Sequence, residues 1–141
     1  METFPDVIDV VITPYTARTK VRPDDPTGFF AAVQKCDCGF FVIKPFAGTS
    51  LFRGDSSPGN THEEEDNRLA RLAIRYILCN PAITAPIPCI ITEQQIDNVA
   101  LAVKDRRVLD VEERAELDRA MDRAWANLPP NHQWLREWEY I

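Results

Sequence analysis

Short β-branched or aromatic runs alternate along this chain with longer stretches in which apolar residues return every three or four positions. Val7 to Tyr15, VIDVVITPY, is the first strand candidate, closed by Pro14 where a ladder should end. Gly39 to Pro45, GFFVIKP, is the second, an almost unbroken apolar run of the kind a buried parallel strand shows. Ala82 to Ile87 is the third, and Pro86 within it points to an edge or an irregular end.

Helices are expected between and after these runs. Asp24-Asp25-Pro26 supplies a start, with Asp25 as N-cap and Pro26 at the first helical position, and Phe29, Phe30 and Val33 turned inward. Thr61-His62-Glu63-Glu64 reads as a capping box, with its acidic run matched to the helix dipole. Behind it Leu69, Leu72, Ala73, Tyr76 and Ile77 form one buried stripe until Asn80-Pro81 stops the helix. Thr92-Glu93-Gln94-Gln95 is a second box, with Ile96, Val99, Ala100 and Val103 as its expected stripe. Asp110-Val111-Glu112-Glu113 opens a last helix, whose inner face is Leu117, Ala120, Met121, Ala124 and Leu128 until Pro129-Pro130. Packing on the core accounts for Met121 and Trp125. The order β-α-β-α-β-α-α predicts an α/β fold with a parallel sheet and right-handed crossovers. An aromatic tail, Trp134, Leu135, Trp138 and Tyr140, is expected to fold over the body, since so much exposed apolar surface would invite association.

Composition narrows the class. A chain of 141 residues with 45% hydrophobic and 27% charged residues fits one soluble globular domain spanning 1–141, with 129–141 as its tail. The net charge of -6 comes with no cluster of Lys and Arg, which argues against binding a nucleic-acid backbone. No run approaches the ~18 apolar residues of a membrane span, and the N-terminal stretch lacks the pattern of a secretion signal. The expected location is cytoplasmic. Cys36, Cys38, Cys79 and Cys89 fit neither a disulfide framework nor a zinc pattern, so no metal is expected and the thiols read as reduced.

The candidate chemistry lies where strands give way to loops. Phe46 to Asn60 is an irregular segment of a length that usually binds or moves, and it offers free amides around Gly48. Pro88 to Thr92 leads into a helix N-terminus, a place suited to a phosphate group. Ligands of parallel α/β folds sit at this edge of the sheet. Tyr15, Lys44 and His62 are the nearest acid-base candidates, but no second group stands at a spacing that would fix a proton relay. No catalytic residue is assigned.

The runs VIKPFAGTSLF, RLAIRYILCNPAITAPIPC and EQQIDNVALAV are similar to the C-terminal half of an aldo/keto reductase, and the similarity covers the chain from about Asp6 to Leu128. The resemblance implies a partial TIM (β/α)8 barrel of three consecutive βα units plus a C-terminal helix and the aromatic tail. Its sixth, seventh and eighth strands would be Val7 to Tyr15, Gly39 to Pro45 and Ala82 to Ile87. The implied cofactor is NADP or NAD. Pro45, Phe46, Ala47, Gly48, Thr49, Ser50 and Leu51 match the segment along its pyrophosphate, and Ile43 falls where a side chain packs on the nicotinamide. Asp97 and Asn98 resemble the pair that holds the adenine amino group. Cys89 departs from the usual glycine, the stretch to Asn98 is one residue shorter than in many members, and Ile90 and Ile91 replace polar or basic residues near the 2'-phosphate.

The family's catalytic Asp, Tyr, Lys and His come from the first half of the barrel, which has no counterpart here. Eight βα units need about 250 residues. The resemblance thus implies an oxidoreductase fragment carrying the cofactor side and inactive alone, with a second chain, or a second copy of itself, to cover the open strand edges. The alternative is a non-catalytic assembly module or a truncated gene product pairing through those edges.

Overall fold

The computed structural model describes residues 7–19, 28–55, 57 and 59–137. Three strands, β1 (Val10–Pro14), β2 (Gly39–Ile43) and β3 (Ala85–Ile87), lie side by side in that order in one sheet. Helix α1 (Phe29–Lys35) follows β1, α2 (Glu63–Leu78) follows β2, and α3 (Glu93–Lys104) and α4 (Val111–Ala126) follow β3. A 3-10 helix, Pro130–Arg136, completes the order. Both pairings are parallel, with Val10 opposite Gly39 and Phe41 opposite Ala85. A helical crossover between successive strands requires this sense of pairing. Among the described residues β1 and β3 each pair with β2 alone, so the sheet stays open and does not close into a barrel.

Period-two alternation divides the sheet into two faces. Phe40 and Val42 are buried and join Tyr15, Phe30, Val33, Ile77 and Ile83 in one cluster beneath the helices. Phe40 meets Phe29 and Phe30 with ring centroids 5.2 and 5.7 Å away. A second cluster holds Leu69, Leu72 and Ile74 of α2 against Leu117, Ala120 and Met121 of α4. Ala47, Leu51 and Leu135 insert into that second cluster, so the loop after β2 is anchored in a helical core. Among the described residues the opposite face of the sheet has no such cover. Val10 is 50% exposed, Ile12 56% and Ile87 46%, and Phe41 and Ile43 are half-buried beside them.

Several expected boundaries move, each for a local reason. β1 is shorter than Val7 to Tyr15: Val7 lies in a turn, and Tyr15 is buried beyond the strand end. β2 stops at Ile43 instead of Pro45, because Lys44 takes a left-handed backbone with φ 57. β3 starts at Ala85 rather than Ala82. The Asn80 side chain accepts from the Ala82 amide at 3.0 Å and the Asn80 carbonyl from the Ile83 amide at 3.1 Å, which folds this stretch into a turn. Thr84 then bridges to the sheet, its Oγ1 accepting from the Phe40 amide at 2.9 Å.

The Thr61 capping box does not form. Asn60 Oδ1 takes the His62 amide at 2.9 Å and Glu63 Oε2 the Gly59 amide at 2.7 Å, so the helix begins at Glu63 with no side-chain cap. The boxes at Thr92 with Gln95 and at Asp110 with Glu113 are both present. Helix α1 begins at Phe29 after an extended Gly28, and the expected cap at Asp25 and Pro26 lies outside the described residues.

The predicted inner stripe of α3 holds at Val99, which packs against the core, and fails at its ends. Ile96 and Val103 are each 55% exposed, while Asn98 and Ala102 are buried against the neighbouring helices. Small Ala102 permits close approach, and Asn98 satisfies its carboxamide there, so the buried face is set by size and hydrogen bonding rather than apolarity. Of the aromatic tail, Leu135 is buried as expected, whereas Trp134 is exposed, with its Nε1 donating to the Asn131 carbonyl at 3.1 Å. Trp138 and Tyr140 lie outside the described residues. Met121 is fully buried, Trp125 packs against the core, and all four cysteines are free thiols.

Candidate functional site

The loop leaving β2 is held in an unusual conformation. Lys44, Ala47 and Gly48 have φ of 57, 51 and 77, in the region costly to side-chain-bearing residues. Buried Ala47 and Leu51 hold the loop in place, which is how such strain persists. The amides of Ala47, Ser50, Leu51 and Phe52 are spent on the loop's own carbonyls. Those of Gly48 and Thr49 make no hydrogen bond among the described residues.

Farther along, the acidic start of α2 closes the segment. Asp66 Oδ1 accepts from the Arg53 amide at 2.9 Å and Oδ2 from the Gly54 amide at 2.8 Å. A Cβ on Gly54 would fall 2.3 Å from Asn60 Oδ1, so this clasp requires glycine. The acidic run therefore fastens the loop as well as matching the helix dipole.

Between this loop and the first turn of α3 lies a cavity of about 300 Å3. Phe46, Gly48 and Thr49 contribute to one side, and Ile90, Ile91 and Thr92 to the other. Glu63, Asp66, Asn67, Gln94, Gln95 and Asn98 supply its polar lining. It sits at the C-terminal ends of β2 and β3, where parallel folds take their ligands. The first-turn amides of α3 also lack intrahelical acceptors, apart from the Gln95 amide that Thr92 Oγ1 takes at 3.3 Å.

The residues singled out from sequence divide into three sets. Phe46, Gly48, Thr49 and Asn98 come together on this cavity. Ala47 and Leu51 have core side chains, and Ile43 stands half-buried on the open face of the sheet. Pro45, Ser50 and the exposed Asp97 do not line the cavity. Asn98 is already engaged: its Oδ1 accepts from Arg71 Nη1 and its Nδ2 donates to the Asn67 carbonyl at 2.9 Å. The free amides suit a pyrophosphate. These two bonds leave the Asn98 carboxamide one N–H and one lone pair to offer a ligand.

The acid-base candidates are scattered. Tyr15 is buried, stacked on Tyr76 at 6.1 Å between centroids, and burial raises its phenol above the ordinary value. Lys44 Nζ lies 3.4 Å from His132 Nε2, while His62 faces Glu65 at 3.7 Å. No hydrogen bond joins any two of the three among the described residues.

Two features gave no sequence signal. The His132 ring rests on Gly48, so close that a Cβ there would be 2.7 Å from Cε1. Arg75 makes a bidentate pair with Glu113 at 2.8 and 2.9 Å, joined by Arg107 at 2.9 Å. The Arg75 guanidinium is the main cause holding the Glu113 carboxyl down at about 2. This pair ties α2 to α4 and stands apart from the cavity. The spacing of Glu113 three residues after Asp110 announced a capping box, not a buried ion pair.

No protein-family model matches the chain, and no curated protein sequence matches it. Among solved structures, the holo form of aldo-keto reductase AKR11C1 from Bacillus halodurans matches with TM-score 0.54 at 18% identity, over 94% of this chain and 49% of that one. The apo form matches with TM-score 0.53 at 18% identity, over 94% and 50%. The likeness is one of fold, and the chain spans about half the length of the structures it matches.

Proposed function

We propose, from a fold shared with one half of an aldo-keto reductase, that this chain is the NAD(P)(H)-binding side of an oxidoreductase-like barrel and performs no hydride transfer alone. The observation that carries this reading is the cavity. Gly48 and Thr49 stand there on the same cavity as the first turn of α3. A bound dinucleotide would supply the hydride chemistry. The chain's own part is to receive the pyrophosphate on the Gly48 and Thr49 amides and on the positive end of α3. The nicotinamide would lie along the strand ends beside Ile43. We place the protein in the cytoplasm; no helix among the described residues is long and apolar enough to cross a membrane.

The direct test is titration of the purified chain with NADH and NADPH, read by nucleotide fluorescence and calorimetry. Saturable binding of either, without carbonyl reduction, is the expected result. Absence of binding to both ends the proposal.

A second reading has its own support in the uncovered sheet face. Val10, Ile12, Phe41, Ile43, Ala85 and Ile87 present an uncharged apolar surface flanked by strand edges that pair no further among the described residues. Patches of this kind mark association sites. A second copy is the occupant we assign to it, because the six strand residues that form the face carry no charge to oppose self-contact. Sedimentation of the pure chain should show a dimer that Ile12→Lys dissociates. A folded monomer at high concentration removes this reading.

A further inference from the structure

We infer that the cavity distinguishes between the two nicotinamide dinucleotides and takes NAD(H) in preference to NADP(H). This rests on the dinucleotide reading above, and its ground is the charge of the cavity wall. Two carboxylates, Glu63 and Asp66, line it, and among the described residues no Lys or Arg does. Both are fixed in position: Glu63 by the Gly59 amide, Asp66 by the amides of Arg53 and Gly54. Neither can swing clear of an incoming anion without opening the loop it fastens.

The neighbouring cations are committed elsewhere. Arg53 pairs with Glu65 at 3.3 Å, and Lys44 lies against His132. Arg71 donates to Asn98 and lines a separate cleft with Arg75, Asp105 and Glu113. The remaining lining has no Asp, Glu, Lys or Arg among the described residues and includes the carboxamides of Asn67, Gln94 and Gln95 and the apolar pair Ile90 and Ile91.

Such a wall suits an unphosphorylated ribose. Its hydroxyls donate to a carboxylate, the same chemistry by which an acidic side chain selects the 2'-hydroxyl in other dinucleotide sites. A phosphomonoester brings between one and two further negative charges at neutral pH. Placed in this cavity, it meets two anchored carboxylates and no cation in the described lining, and like charges oppose binding. The pyrophosphate is common to both nucleotides, so its own cost beside the carboxylates cancels in the comparison, and the Gly48 and Thr49 amides face it on the same cavity.

The experiment is parallel calorimetric titration of the full chain with NAD+, NADP+ and ADP-ribose at low ionic strength. NAD+ and ADP-ribose are expected to bind at least roughly tenfold more tightly than NADP+. Glu63→Gln, which keeps the acceptor for Gly59, should narrow that gap by strengthening NADP+. Gln94→Glu, which adds a charge to the rim and leaves the loop clasp alone, should widen it. NADP+ binding as tight as NAD+, or a gap that neither variant moves, overturns the selectivity and leaves the dinucleotide reading standing. If none of the three ligands binds, the dinucleotide reading falls and the selectivity with it.

Discussion

The two faces of the three-stranded sheet are built from equally apolar residues and have opposite fates. On one, Phe40 and Val42 are sealed under α1 and α2 in a cluster of aromatic and branched side chains. On the other, Ile12, Val10 and Ile87 face outward with about half of their surface accessible. The strands therefore carry the composition of a sheet buried on both sides, while the described chain covers one side. Apolarity along a strand reports that both faces are meant to be dry, and says nothing of which polypeptide dries them.

That contrast can be tested by substitution, beginning with the covered face. Phe40→Ala should cost about 3–5 kcal/mol, because it empties a site packed by two rings, and urea melts followed by circular dichroism measure it. Next comes the layer that provides the cover. Glu113→Ala leaves Arg75 buried with its main partner gone, for an expected loss of about 3 kcal/mol.

The same pair makes stability depend on acid. Its carboxyl titrates at about 2 when folded against an ordinary 4.5, so its contribution is complete above pH 4.5 and disappears as pH falls toward 2. Thermal midpoints should fall over that interval, and Glu113→Ala should flatten the fall.

At the boundary between the faces, Gly48→Ala should cost about 1–2 kcal/mol for its left-handed backbone and displace the His132 ring as well. Nucleotide affinity should drop with it. The smallest effect belongs to the open face: Ile12→Ser is expected to change unfolding of the monomer by less than about 0.5 kcal/mol while weakening any self-association. An Ile12→Ser variant as damaged as Phe40→Ala would mean that the two faces do not differ as described.

What the sequence disclosed follows from how local each determinant is. The capping boxes at Thr92 and Asp110 were legible because each is completed within three residues. Thr61 had the same letters, yet Asn60 and Gly59 offered nearer partners to the groups a box would use. The stripe of α3 was misread at its ends because its burial depends on what α2 presents. Arg71 and the Asn67 carbonyl draw Asn98 inward, which turns Ile96 and Val103 toward solvent.

The loop at Gly48 was visible through its small residues and its place after a strand. The acidic half of the cavity was not. Glu63 and Asp66 look like ordinary dipole-matching charges until the fold brings α2 and α3 together. Resemblance to half a barrel was confirmed at the level of fold, and the residues it assigned to a cofactor were only partly assembled on one wall.

The 3-10 helix that seats His132 over Gly48 also has a meaning for synthesis. A ribosome delivers position 48 long before position 132, and the two meet from far apart in the chain. The ring that presses on the loop is therefore among the last described parts to arrive. Until it does, Gly48 lacks one wall of its mould, so readiness to receive a nucleotide should mature late, after the sheet and its first two helices can already have packed.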